Sequence, residues 1–554
     1  MTDATAGLGS RVRRGALWSA GSTILMRLAN VALMAVVARI VVPEHVGVFA
    51  LAMAAHAFVA SAAELGVASA VARSDLDPER IAPTVATISI VASTALAGLM
   101  ALFAEPLAVA LGSPDVAGPL RILSLAVALV GPFAVPGAQL QREFRQSRVF
   151  LANVVSFVPS SAVLVVLALH GDGAEAFAWS RVVGQLAAGL VVVASVSRLY
   201  RPGFALREVR GLLVFGLPLA AANLLSQVVV NVDYVLLGRT LDVAAVGVYM
   251  LAFNVASWAT AAIGSMLNGV VLPAFSRARQ DPERLPGAVA RATRAVTTVA
   301  LLVCAMTSAL AGPLVQVLYG GQWSQAAPVL AVLSLYGAVS VVCLLFANVT
   351  IAMGRTGSLL GVQAAALVAL VPAMVAGIAW AGIVGAGLAH VVVAAVVTLP
   401  VYLRTVRRTT GTSLRRLGGA VLPPVVAAVL AWGAAHLAAG VPAHDVVRLL
   451  LGGCAGAAVY GVLMARDLLD AVGAHRLPAT LGTALDRTEP LRRWLVGRPA
   501  AAPAVPDPAP TVPDLAATAP APTVPDPAPT VPDPAPRPQE TPLAAAAVHP
   551  EVSR

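Results

Sequence analysis

Lysine is absent from the 554-residue chain, so arginine carries all 37 positive charges against 27 acidic ones, for a net charge of +10. Charge of either sign is scarce. Only 12% of residues are charged, 58% are hydrophobic, and mean hydropathy is +0.84. Soluble domains carry about 25% charged residues, so this composition excludes a single aqueous core. Cysteine is limited to Cys304, Cys343 and Cys454. All three fall inside apolar runs without metal-ligand spacing and read as buried thiols. Also missing are a phosphate-binding glycine loop, a His/Cys metal motif and a nucleophile motif. No polar link is large enough to house an active site, apart from a low-complexity tail. The sequence therefore reads as a non-enzyme that needs no cofactor.

What it has in abundance is apolar runs of about 20 residues, the length of a membrane-spanning helix. Fourteen candidate spans cover residues 15–42, 46–72, 82–103, 119–141, 149–170, 174–197, 211–238, 242–274, 295–315, 328–352, 357–380, 382–403, 418–438 and 446–464. The expected fold is an all-α polytopic membrane protein. "SRVRRGALWSAG" leads into a run of full membrane length, so it reads as a first anchor rather than a cleaved signal. Arginine follows the even-numbered spans, as in "QREFRQSR", "SRLYRPGFALREVR" and "RTVRRTTGTSLRR". The alternate links "VVPEHVG", "TLDVAA" and "LYGGQWSQAA" lack it. By the positive-inside rule this puts both termini in the cytoplasm and the chain in the cell membrane. The same rule explains the high pI without nucleic-acid binding. Residues 499–554 repeat Pro-Thr-Val-Pro-Asp three times and read as a disordered, polyproline-like tail.

The spans also repeat. Shifted by about 200 residues, "ARIVVPEHVGVFALA" (38–52) lies over "GRTLDVAAVGVYMLA" (238–252). Arg39 then meets Arg239, and Val46-Gly47-Val48 meets Val246-Gly247-Val248. "EPLAVAL" (105–111) lies over "GPLVQVL" (312–318), and Arg145 over Arg355. A unit of six helices, repeated in the same orientation, implies two lobes related by a pseudo-two-fold axis along the membrane normal, the plan of many transporters. The expected organisation is a cytoplasmic N-terminus (1–14), an N-lobe (15–200), a C-lobe (201–408), an appended helix pair (409–466), a cytoplasmic segment (467–498) and the tail.

Polar residues gather on the first helix of each repeat. Thr23, Arg27 and Asn30 share a face with Ser19 and Ser22 on span one. Gln227, Asn231 and Asp233 fall with Asn223, Ser226 and Tyr234 on span seven, each face roughly 140° wide. Asn254 adds to them from span eight. These are the candidate substrate-binding residues, although small polar residues also join membrane helices by packing. Arg27, near the middle of its span, is too deep to snorkel and is the main candidate. Arg39, Arg239, Glu64 and Arg181 are candidate gate or ion-pair residues. His56 and His390 read as packing residues.

The segments "VPGAQLQREFRQSR" (135–148), "FGLPLAAANLLSQVVVNVDYVLLGR" (215–239), "AVGVYMLAFNVAS" (245–257), "VLPAFSRARQDPERL" (271–285), "LYGGQWSQAAPVL" (318–330) and "AMGRTG" (352–357) carry a resemblance. In this order, along residues 10–465, the chain resembles the Wzx-like polysaccharide and oligosaccharide flippases of the multidrug/oligosaccharidyl-lipid/polysaccharide exporter superfamily. The resemblance implies a V-shaped two-lobed fold. It implies as partners the bilayer and a polyprenyl-pyrophosphate-linked oligosaccharide, turned from the inner to the outer leaflet by alternating access. An assembly protein such as a polysaccharide polymerase is a further candidate partner. A pyrophosphate suits arginine, an always-charged bidentate donor. The superfamily leaves two alternatives open, a lipid II flippase and a cation-coupled multidrug antiporter. The proton-coupled antiporters are expected to carry an Asp in span one, where this chain has Arg27 and no acid.

Overall fold

The computed structural model describes Met26 and residues 29–64, 66, 68–72, 77–143, 145–266, 275, 283–355 and 357–472. Every regular element among them is helical. A first helix, α1, is described over 29–37 and turns through Arg39 into α2 (Pro43–Ala63), which starts on a proline. Proline at a helix start costs nothing, because the first amides have no partner within the helix. The first half continues through α3 (Ala68–Ala72), α4 (Pro78–Leu102), the short α5 (Ala104–Leu111), α6 (Ala117–Ala128), α7 (Val130–Arg142), α8 (Gln146–His170) and α9 (Gly173–Ser195). The second half comprises α10 (Leu206–Thr240), α11 (Val243–Met266), α12 (Leu285–Ala309), the short α13 (Ala311–Tyr319), α14 (Ala326–Ala352), α15 (Gly357–Val393) and α16 (Leu399–Thr410). Two further helices, α17 (Leu414–Ala439) and α18 (Asp445–Val472), follow.

Eleven helices among the described residues are long and apolar enough to cross a membrane. The protein is a polytopic membrane protein. Its exterior is apolar, with Trp380 and Leu437 each 78% exposed and Leu102 74% exposed, as lipid contact requires and water would penalise. The run Gly361–Thr410 counts as one apolar stretch, yet it breaks at Ala381 and at Gly382, whose φ is +55°. That break falls between the expected eleventh and twelfth spans. One π-helical turn, Ala394–Thr398, joins α15 to α16.

Cys304 and Cys343 are buried as expected, but Cys454 is exposed, and the helices depart from the sequence reading in three places. The second helix ends at Ala63 instead of running to 72, so Glu64 is a C-cap residue rather than mid-span. Gly66 explains the stop: its φ is +64°, and a Cβ there would meet the Gly216 carbonyl oxygen of α10 at 2.5 Å. A side chain would be strained in that backbone conformation and would collide with a neighbouring helix. The expected link "AEPLAVALGSPDVAGP" folds instead as α5 plus a 3-10 turn at Pro114–Val116. Its repeat counterpart folds alike, as α13 plus a 3-10 turn at Gly321–Trp323, and α12 ends at Ala309 rather than near 315. Apolar helices this short lie beyond the scope of a span-length criterion.

One buried cluster draws on α2, α5, α6, α9, α10, α11, α13, α14 and α15, and so joins the two halves. It is rich in Ala and Val, the small side chains that let membrane helices approach closely. The appended helices dock on α12. There Arg294 makes a bidentate pair with Asp467 at 2.6 and 3.1 Å, and Tyr460 donates to the Thr298 carbonyl at 2.7 Å.

Candidate functional site

The two halves are fastened at one end by contacts that come in crossed pairs. A Cβ on Gly47 of α2 would collide with the Val243 carbonyl at the start of α11. A Cβ on Gly247 of α11 would collide with the Pro43 carbonyl at the start of α2. The same reciprocity holds for the arginines. Arg39 donates to the Val317 carbonyl of α13 at 2.8 Å, and Arg239 donates to the Ala110 carbonyl of α5. Each guanidinium thus caps the C-terminal carbonyls of the short helix in the other half, where the helix dipole favours a cation. Trp323 also donates to the Ala38 carbonyl at 2.7 Å. Arg39 and Arg239, expected as gate or ion-pair residues, find backbone carbonyl partners here.

Beneath this closed end lies a cavity of about 260 Å³ lined from both halves. Asn30 of α1 and Asn254 of α11, two expected site residues, meet on its wall. Each amide nitrogen bonds back to its own helix, to the Met26 carbonyl at 2.8 Å and the Met250 carbonyl at 3.0 Å. One amide hydrogen of each is thereby tied to its own helix, and each side-chain oxygen keeps its capacity as an acceptor. Phe49 and Phe177 stack at 5.0 Å and, with Trp258 and Tyr319, give the cavity aromatic walls. The cavity therefore pairs flat apolar surfaces with a few amides. Thr23 and Arg27 lie outside the described residues.

The other expected residues distribute differently. Gln227 and Asn231 form a couple one turn apart on α10, with the Asn231 amide donating to the Gln227 carbonyl and side-chain oxygens at 2.9 and 3.2 Å. Asp233 is not among the residues that line the cavity. It is 1% exposed and turns to His390 of α15, 7% exposed, with Oδ2 and Nε2 3.7 Å apart. Arg181 is exposed on α9 and near enough to the buried His56 of α2 for its charge to act on it. Glu64 is exposed at the end of α2.

His390 was missed as a partner of Asp233, although the repeat carries a signal for it. Gly173 and Gly382 both take positive φ, +51° and +55°, and Arg181 and His390 each follow eight residues later. The two halves therefore set a fixed cation and a titratable ring at matching positions.

The profile of a known family, described as polysaccharide biosynthesis protein, matches residues 36–328, more than half of the chain. The chain belongs to the polysaccharide biosynthesis protein family. Among relatives of this family member, the succinoglycan biosynthesis transport protein ExoT of Rhizobium meliloti (strain 1021) is 28% identical over 460 residues, 80% of this chain and 91% of that protein. The lipopolysaccharide biosynthesis protein WzxC of Escherichia coli (strain K12) is 22% identical over 404 residues, 73% of this chain and 82% of that one. In fold, the chain is similar to the lipid II flippase MurJ in an inward closed conformation. That match has a TM-score of 0.64 at 13% identity and covers 81% of this chain and 98% of MurJ. An inward-facing multidrug resistance MATE family transporter gives a TM-score of 0.56 at 19% identity, covering 68% and 93%. These likenesses establish the fold of the chain as MurJ- and MATE-like. The family agrees with the polysaccharide branch to which the sequence resemblance pointed.

Proposed function

We propose that the protein is a flippase that turns polyprenyl-pyrophosphate-linked oligosaccharide from the inner to the outer leaflet of the cell membrane by alternating access. In this reading fourteen helices form two six-helix lobes, related by a pseudo-two-fold axis, plus the appended pair. Both termini are cytoplasmic, and the Arg39 end faces outward. The observation that carries the reading is the cavity to which both halves contribute an asparagine, beneath the crossed Gly47–Val243 and Gly247–Pro43 contacts. Reciprocal contacts between repeat-related residues support the axis. The helix break at Ala381–Gly382 and the apolar stretch Val243–Trp258 support a count above eleven.

The chemistry follows from the residue types. Amide oxygens of Asn30 and Asn254 accept from sugar hydroxyls, and the aromatic walls cover the apolar faces of the rings. Arg27 takes the pyrophosphate, whose charge cannot enter the apolar core without a cation. The lipid tail stays in the bilayer. In proteoliposomes loaded with a polyprenyl-pyrophosphate-linked sugar, the wild type should move the lipid between leaflets. Arg27→Ala should abolish transport, and Arg27→Lys should retain part of it. Full transport by Arg27→Ala at normal protein levels would refute the role. Preference for lipid II or for a cationic drug in the same assay would replace the substrate.

A further inference from the structure

The second half buries two titratable side chains that head-group binding does not use. Asp233 Oδ1 accepts the Tyr234 N–H at 2.9 Å, but Oδ2 has no hydrogen bond, and neither has Nε2 of His390, 3.7 Å away. A carboxylate and an imidazole left open in an apolar interior are costly unless they share a charge or a proton. Among the described residues, no arginine is paired with either of them. The groups facing them are Tyr234 on α10 itself, Tyr249 on α11 and Tyr336 on α14, with Cys343 of α14 beyond Tyr336. The Tyr249 hydroxyl is the polar group nearest the open side of the Asp233 carboxyl, although it makes no hydrogen bond of regular geometry there. Tyr336 and Phe253 pack on the His390 ring at 5.0 and 6.0 Å. Where α2 and α5 meet α10 near Gly238, they present the Leu51 side chain and the Leu111 carbonyl. The shorter contacts of α3 and α4 with α10 lie near Leu212 and Gly216, toward its other end.

We propose that Asp233 and His390 form a proton-binding site that couples one proton to each transport cycle. The inference rests on the flippase reading for its transport role. With ionised Asp233 and neutral His390 the pair carries one negative charge. With one proton bound, on the carboxyl or the imidazole, it carries none. The closed packing seen here suits the neutral form. Loss of the proton leaves a bare charge that must be hydrated, and hydration requires the helices around α10 to open. A proton taken up on one side of the membrane is released on the other, and only an O–H or N–H bond forms and breaks. The π-helical turn just beyond His390 supplies a local irregularity at which α15 can shift. The two halves then divide the work. The first holds the permanent cation Arg181 at the position of His390, and Leu33 at the repeat position of Asp233.

The test begins with purified protein and no substrate. Spin labels on Asp172 and Ser324, exposed links of the two halves at the Arg39 end, report opening, with exposed Cys454 replaced by serine. One proton released per opening makes the open-to-closed ratio rise about tenfold per pH unit in the wild type. Asp233→Asn should be flat, and His390→Gln should shift or flatten the response. Asp233→Leu, copying Leu33, serves if the Asn variant fails to fold. A wild-type slope retained in Asp233→Asn, or a response that follows sodium rather than pH, overturns the proposal. In the second arm, proteoliposomes carry a polyprenyl-pyrophosphate-linked sugar. Wild-type transport should respond to an imposed pH gradient, whereas Asp233→Asn should move lipid without responding. A pH-dependent opening in the first arm without lipid transport in the second refutes the proposed substrate and supports the proton site.

Discussion

The close approach of α2 and α11 makes a quantitative prediction. Gly47 and Gly247 are repeat partners, and each lies against the backbone carbonyl that opens the other helix. An alanine Cβ at either site would fall under 3.0 Å from that carbonyl oxygen, which is backbone and cannot swing aside, and at Gly47 it would also press on the Val243 side chain. The methyl cannot rotate aside and the carbonyl sits in a helix terminus, so the helices must part by about an ångström. Overpacking of this kind costs about 1–3 kcal/mol. Because the strain exists only while the end is closed, the closed-to-open ratio should fall roughly 5- to 150-fold. Labels on Asp172 and Ser324 measure the separation directly. Gly98→Ala is the control, since nothing lies within 4 Å of a Cβ there. The reciprocal geometry adds a sharper demand, that Gly47→Ala and Gly247→Ala act in the same direction and by similar amounts. Wild-type distances in either variant, or opposite effects from the two, would refute the reasoning.

Other consequences can be checked alongside. Arg39→Ala and Arg239→Ala should each weaken closure by about 0.5–1 kcal/mol, the worth of a cation at an exposed helix C-terminus, read as a longer mean label distance. Asp467→Ala leaves the Arg294 guanidinium, 14% exposed, without its carboxylate. The loss should be about 3–5 kcal/mol, measured as a lower Tm in detergent, with partial recovery in Asp467→Ala/Arg294→Met. Asn254→Leu keeps the bulk of the side chain but removes an acceptor from the cavity wall. It should raise the half-saturating concentration of lipid-linked sugar several-fold while leaving the Tm unchanged.

The polytopic helical character was legible because its signal is local: a run of apolar residues must cross or be buried. The repeat was legible in the same way, through Arg39/Arg239 and Val-Gly-Val. The structure adds a reason for those matches to persist, since these residues meet across the halves. The short helices α5 and α13 were missed because they are too brief for a span criterion, even though "EPLAVAL" and "GPLVQVL" had been matched. Asn30 and Asn254 were found by helical periodicity, which does determine which residues share a face.

Asp233 shows the limit of that method. On a helical wheel it falls within the polar stripe with Gln227 and Asn231, and the stripe pointed to a shared cavity. Hydropathy and periodicity fix a residue's angle on its own helix but not the rotation of that helix against its neighbours. That rotation is set by close backbone approaches such as Gly238 against the Leu111 carbonyl, which depend on residues far apart in the chain. The sequence by itself therefore determined a polytopic helical membrane protein, its repeat and its chemical repertoire. Only the tertiary structure decided that Asp233 turns to His390, that Arg39 and Arg239 fasten the opposite halves, and that two asparagines share one wall. Those are matches between helix faces, made by packing in three dimensions.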